Sequence, residues 1–320
     1  MESPISNTSA MPFESIGQKG VRERLEIIVK EGSHARASLM LSELKRTLET
    51  KEVFFSLHKG ILKYIYAVGA LAFACRDINI DSIVSLLLAL NINPDHQMLE
   101  TIKKLHYKNY NIHMNILYFM MAMGIEPTID NVMELVRVMG FKYDPTLAGY
   151  TIEYFKEFNS GKVSYSIPEL EGDLSTAFNK TADMIFSLSN IISDYVIKEI
   201  EDLMHDQRLT KFSESQILPY LSAIGLLSFS GRDLDRENIE SVMNAMGTNP
   251  ETEVLDAIGE IHFRNHIVYM AGLYFIRAVG MESSLDKLMS VVKSMDATAD
   301  EYVAGNVITF YKTSMSPAAP

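Results

Sequence analysis

The stretch KYIYAVGALAFACRDINIDSIVSLLLALNINPD, Lys63–Asp95, decides the fold. Its first part is apolar or small almost throughout, up to Arg76-Asp77. Ile83, Leu86, Leu87 and Leu90 follow, with the i, i+3, i+4, i+7 spacing of one helix face. Asn93-Pro94 then reads as an N-cap followed by proline at the first position of a third helix. The stretch therefore predicts two helices and the start of a third, with no strand alternation.

This pattern is written more than once. Ile61-Leu62-Lys63-Tyr64 recurs 156 positions on as Ile217-Leu218-Pro219-Tyr220. At the same offset Arg76-Asp77 meets Arg232-Asp233, Asn93-Pro94 meets Asn249-Pro250, and Gly124 meets Gly280. Roughly a third of the positions from Ile61 to Lys156 are identical to their counterparts, which predicts a tandem duplication. A weaker repeat with an offset of 49 lies inside each half: the apolar quartet returns as Val132, Leu135, Val136 and Met139. The second half carries Ile239, Val242, Met243 and Met246, then Leu288, Val291, Val292 and Met295. Asp144-Pro145 repeats the cap signal, and Asp300 stands at its place without the proline. Gly124, Gly140, Gly247 and Gly280 follow apolar runs and read as helix stops. The class is all-α, with four units of about 50 residues, each of three short helices.

Working outward, a long helical segment precedes each pair of units. Ser15–Glu49 is helical by pattern, with a break predicted at Gly32-Ser33. Leu174–Met204 carries apolar residues at helical spacing, with a break near Ser189-Asn190. The organisation is an arm at 1–14, a first half at 15–158 with units at about 61–109 and 110–158, and a linker at 159–171. A second half follows at 172–314, with units at about 217–265 and 266–314, and a tail at 315–320. The arm and the tail are expected to be disordered. The polar start has no apolar signal region, so a cytoplasmic protein is expected. The apolar stretches Ile61–Ala74, Asn115–Ile125, Ile217–Phe229 and Ile267–Met281 are too short or too charged to span a bilayer and read as core helices.

The first unit resembles the N-terminal dimerisation domain of the acidic ribosomal stalk proteins of archaea and eukaryotes. Tyr64-Ile65-Tyr66-Ala67 matches that family's aromatic-x-aromatic-Ala opening, and Arg76-Asp77-Ile78 its basic-acidic-Ile turn. Ile83–Leu90, Asn91, Ile92 and Asp95 follow the order of its amphipathic helix, turn and acidic cap. The third unit keeps Tyr220, Ala223, Arg232-Asp233-Leu234 and Ile239–Met246. The resemblance implies a non-enzymatic interaction protein, ribosome- or translation-associated, whose paired units clasp a long partner helix in a groove. It implies that each half is a covalent version of such a pair, its groove filled by its own long helical segment. The partner is then a ribosomal component or the chain's own long helices. The family's hinge and acidic-aromatic tail have no counterpart in KTSMSPAAP, Lys312–Pro320, so recruitment of GTPases by that route is not implied.

Composition narrows the function. Lys and Arg total 29 against 41 Asp and Glu, a net charge of −12, so direct nucleic-acid binding is not expected. The lone Cys75 excludes an intrachain disulfide and has Gly231 as its counterpart, which argues against thiol catalysis. No Gly-rich phosphate loop, nucleophile elbow or metal-ligand spacing occurs, so no catalytic residue, metal or cofactor is assigned. The most specific polar feature is the recurring tetrad His106-Tyr107-Lys108-Asn109 and His262-Phe263-Arg264-Asn265. Its functional reading is a contact site for an acidic partner; its plain reading is a helix junction capped by Asn. The candidate partner contacts are Tyr66, His106, Lys108, Asn109, His262, Arg264 and Asn265. Pairing within one chain and between chains, a homodimer included, are both open. The alternative function is a small-molecule binder or enzyme with a pocket between the halves.

Overall fold

A computed structural model describes residues 20–49, 59–103, 109–160, 162, 175–259 and 266–315. Among the described residues there are fourteen α-helices and no strand. Two are long: α1, Val21–Leu48, and α8, Ser175–Met204. After α1 come α2 Leu62–Phe73, α3 Ile80–Ala89, α4 His96–Lys103, α5 Asn111–Ala122, α6 Ile129–Val138 and α7 Pro145–Asn159. After α8 come α9 Glu214–Phe229, α10 Arg236–Ala245, α11 Thr252–Gly259, α12 His266–Ala278, α13 Leu285–Ser294 and α14 Glu301–Met315. No helix among the described residues is long and apolar enough to cross a membrane.

Four helices are apolar on every side and are buried accordingly: α2, α5, α9 and α12. The apolar stretches of the sequence are these helices. The quartet helices α3, α6, α10 and α13 lie outside them. Each buries its spaced residues, such as Ile83, Leu86 and Leu87, and turns a half-buried to exposed face outward. Each has a polar N-cap at the same repeat position. Asn79 Oδ1 accepts from Ser82 N–H at 2.9 Å, and Thr128, Asp235 and Ser284 do the same for their helices. Such a cap is worth about 1 kcal/mol.

The turns repeat equally closely. Cys75, Gly124, Gly231 and Gly280 have positive φ after the apolar helices; Asn91, Gly140, Gly247 and Asp296 have it after the quartet helices. At each turn the following N–H bonds back to the carbonyl five residues earlier, as Arg76 N–H does to Leu71 O at 2.8 Å. The glycine helix stops read from sequence thus stand where predicted. Cys75, Asn91 and Asp296 occupy the same left-handed position with a side chain attached. At Gly231 there is no such freedom, because a Cβ would stand 2.4 Å from Ala74 O.

Three expectations need correction. First, α1 runs unbroken through Gly32-Ser33, and α8 through Ser189-Asn190. These small residues mark close approach. A Cβ at Gly32 would stand 3.0 Å from the Tyr118 ring, and Ser33 Oγ lies 2.6 Å from Ser189 Oγ. Second, Asn93-Pro94 and Asn249-Pro250 precede the caps instead of forming them. Asp95 Oδ1 accepts from Met98 N–H at 2.9 Å, and α11 begins beyond Glu251. Asp144 and Asp300 do cap their helices as read. Third, the units do not pair within each half. Helix α2 packs on α12 and α3 on α13; α5 packs on α9 and α6 on α10. The first unit therefore pairs with the fourth, and the second with the third.

The long helices tie these pairs together. They run antiparallel, with an ion pair between Arg22 and Glu201 at one end and the Ser33–Ser189 contact within. Helix α1 lies on α5 and α9, and α8 lies on α12 and α2. Each cross-half pair thus holds one long helix.

Close pairing depends on glycine at one place in each pair. A Cβ on Gly69 would meet Tyr274 Oη at 3.2 Å, and one on Gly225 would meet Phe119 Cε1 at 2.5 Å. Gly305 sits in α14 with nothing within 4 Å of its would-be Cβ. Gly225→Ala is expected to lower unfolding free energy by about 1–3 kcal/mol through overpacking. Gly305→Ala is expected to raise it by roughly 0.5–1 kcal/mol through helix propensity. Urea unfolding of the two variants checks the opposite signs.

Candidate functional site

The sequence-derived contact residues do not assemble into one described site. His106, Lys108, His262, Arg264 and Asn265 lie outside the described residues. Tyr66 is buried in α2. Asn109 is half-buried, and its Oδ1 accepts from Asn111 N–H at 3.1 Å at the start of α5. This is a local turn contact; the N-cap of α5 is Tyr110, which makes no side-chain cap bond. Met120, Met121, Met133, Met139, Met243, Met246 and Met295 are buried in the core.

The polar centre of the molecule is elsewhere, where the C-terminal ends of α2 and α9 approach each other beside α1. Arg36 of α1 is fully buried. Its guanidinium lies between the rings of Phe73 and Phe229, 5.0 and 5.1 Å from their centroids. Phe229 O, a carbonyl of the last turn of α9, collects three donors: Asn115 Nδ2 at 2.9 Å, Arg36 Nη1 at 3.4 Å and the Cys75 thiol at 3.6 Å. Asn111 Nδ2 donates to Ala72 O at 2.7 Å near the end of α2. A cation at helix C-termini is favoured by the macrodipole, and two aromatic faces add cation–π attraction. Burial still lowers the Arg36 pKa to about 10 and raises that of Cys75 to about 11. At neutral pH the arginine is therefore a cation and the cysteine a thiol.

This cluster is one-sided. The positions 156 further on hold Ile192 for Arg36, Gly231 for Cys75, Ile267 for Asn111 and Ala271 for Asn115. Sequence reading missed Arg36. The available signal was its apolar counterpart Ile192, which marks the position as core.

A second cluster joins α8 to α12. His266 Nδ1 lies 3.3 Å from Glu199 Oε2, and the His266 ring packs on Tyr195 at 4.4 Å between centroids. Burial, then Glu199, pushes the Tyr195 phenol far above its ordinary range. That phenol is not a base at neutral pH. Among the described residues no group of His, Cys, Asp or Glu is placed to hold a metal ion.

A third feature is a repeated buried hydroxyl. Tyr64, Tyr220 and Tyr269 each accept, at Oη, the N–H of the residue just before the third helix: Asp95, Glu251 and Asp300, at 2.6, 2.5 and 2.8 Å. The second unit has His113 at this position. Its ring is buried, and neither nitrogen has a hydrogen-bond partner among the described residues. Burial lowers its pKa to about 4. Finally, an apolar cavity of about 230 Å³ lies within the first half, among α1, α2, α3 and α4.

His113 makes the fold acid-sensitive in a defined window. Its folded pKa of about 4 lies below the ordinary 6.5. Above pH 6.5 neither state is protonated there and nothing is lost. As pH falls toward 4, only the unfolded chain takes up the proton, so stability falls by roughly 2–4 kcal/mol. His113→Tyr is expected to remove that loss, seen as a smaller difference between urea unfolding at pH 7 and pH 4. Arg36→Met, matching the apolar counterpart, is expected to leave stability at neutral pH unchanged or higher. Arg36→Ala is expected to lower it by about 2–5 kcal/mol through the cavity left behind, read from the same curves.

No protein-family model, no curated protein and no solved structure matches the chain.

Proposed function

We propose that the chain is a non-enzymatic, cytoplasmic protein-interaction scaffold, related in build to the ribosomal stalk dimerisation domain and associated with ribosomes. The observation that carries this reading is the seat of the long helices. In the stalk family a pair of domains clasps a long helix of the stalk base. Here each cross-half pair of units packs against one long helix, α1 or α8, which supports the reading. Joining the parts in one chain replaces encounter between molecules by a high effective concentration. A tandem duplication, with each half contributing one member to both pairs, accounts for the repeated caps and turns.

With its grooves occupied by its own helices, the scaffold meets an outside partner through its outer faces. Tyr143, Tyr150 and Tyr302 are exposed there, at 65, 51 and 73%. Aromatic side chains are favoured anchors at protein interfaces. Co-sedimentation with purified ribosomal subunits on sucrose gradients tests the proposal. Association with the large subunit is expected, weakened at least fivefold in the triple variant Tyr143→Ala, Tyr150→Ala, Tyr302→Ala. A chain that stays at the top of the gradient would sink the ribosomal assignment.

A further inference from the structure

We propose that the cavity in the first half is a binding site for a medium-chain aliphatic carboxylate. Eight of its ten lining residues are aliphatic, and none is aromatic or acidic. Its depth is formed by buried residues such as Leu44, Ile65, Ile83 and Ile102. Asn79 and Lys103, both exposed, supply its polar lining. An apolar cavity of about 150 Å³ accepts benzene. By that ratio 230 Å³ takes a chain of about nine carbons.

The charge at the mouth selects the head group. Lys103 has no ion-pair partner among the described residues. Asn79 Oδ1 is committed to the cap of α3, which leaves its Nδ2 as the group able to meet a ligand. Both therefore present donors. At the corresponding positions of the second half stand Asp235 and Gly259, an acid and no cation. An anionic head is thus matched only in the first half. A carboxylate on a flexible alkyl chain satisfies the walls and the mouth together. The stated volume is too small for the several side chains of a docked helix, so this site is separate from the interaction faces above.

Isothermal titration with sodium nonanoate and with 1-nonanol, together with thermal melting, tests the site on the full chain. Nonanoate is expected to bind and raise the melting temperature, and to bind more tightly than nonanol. Lys103→Gln, a surface change that leaves the core intact, is expected to weaken nonanoate about fivefold and nonanol less than twofold. Val68→Phe, which fills the cavity, is expected to abolish both. If Val68→Phe does not fold, the Lys103→Gln comparison decides alone. Absence of binding by either probe, or a nonanoate preference unchanged by Lys103→Gln, overturns the proposal.

Discussion

Ser33 and Ser189 meet where α1 crosses α8, with Ser33 Oγ donating to Ser189 O at 2.9 Å. They are 156 positions apart in the chain. A residue that touches its own repeat counterpart lies on the axis relating the two copies. Only small side chains let the two long helices come this close. Everything else hangs on that crossing. Each long helix carries one cross-half pair of apolar helices, so their antiparallel contact sets how the two pairs face each other.

The apolar helices supply most of the stabilisation. α2, α5, α9 and α12 are buried on all sides, and burial of apolar surface is the dominant favourable contribution. That leaves their ends to be satisfied. The eight left-handed turns close the C-termini with backbone bonds, and side-chain caps close the N-termini of the quartet helices. The polar cluster around Arg36 is a different solution to the same demand. At Phe229 O, side chains from α1, from α5 and from the turn after α2 reach a carbonyl that its own helix does not satisfy. Because only one half carries these side chains, the molecule is symmetric in backbone and asymmetric in chemistry.

Much of this was legible from residues alone. The quartets starting at Ile83, Val132, Ile239 and Leu288 predict the four amphipathic helices and their buried faces. Gly124, Gly140, Gly247 and Gly280 mark four of the eight left-handed turns. Cys75 hides another, since its side chain gives no sign of positive φ, whereas Asn91 and Asp296 are of the types that adopt it most readily after glycine. Gly32-Ser33 misleads for a related reason. In an isolated sequence small residues weaken a helix, but against Tyr118 and Ser189 they are what permits packing. Of the candidate contacts, Asn109 is engaged locally and Tyr66 is interior. His113 stands out only once burial is known, because an ordinary titratable residue and an unusual one are spelled alike; for Arg36 the apolar counterpart Ile192 is the one sign in the sequence.

Local structure was therefore determined by the sequence. Helix periodicity, capping and turn closure depend on neighbours within a few positions, and the chain states these directly. Which unit embraces which was decided by the tertiary structure. Four units with nearly interchangeable apolar faces can pair within halves or across them at similar local cost. The crossing at Ser33 and Ser189, together with the close seats at Gly69 and Gly225, selects the cross-half arrangement. Those contacts join residues 156, 205 or 106 positions apart, a separation over which no local pattern carries information.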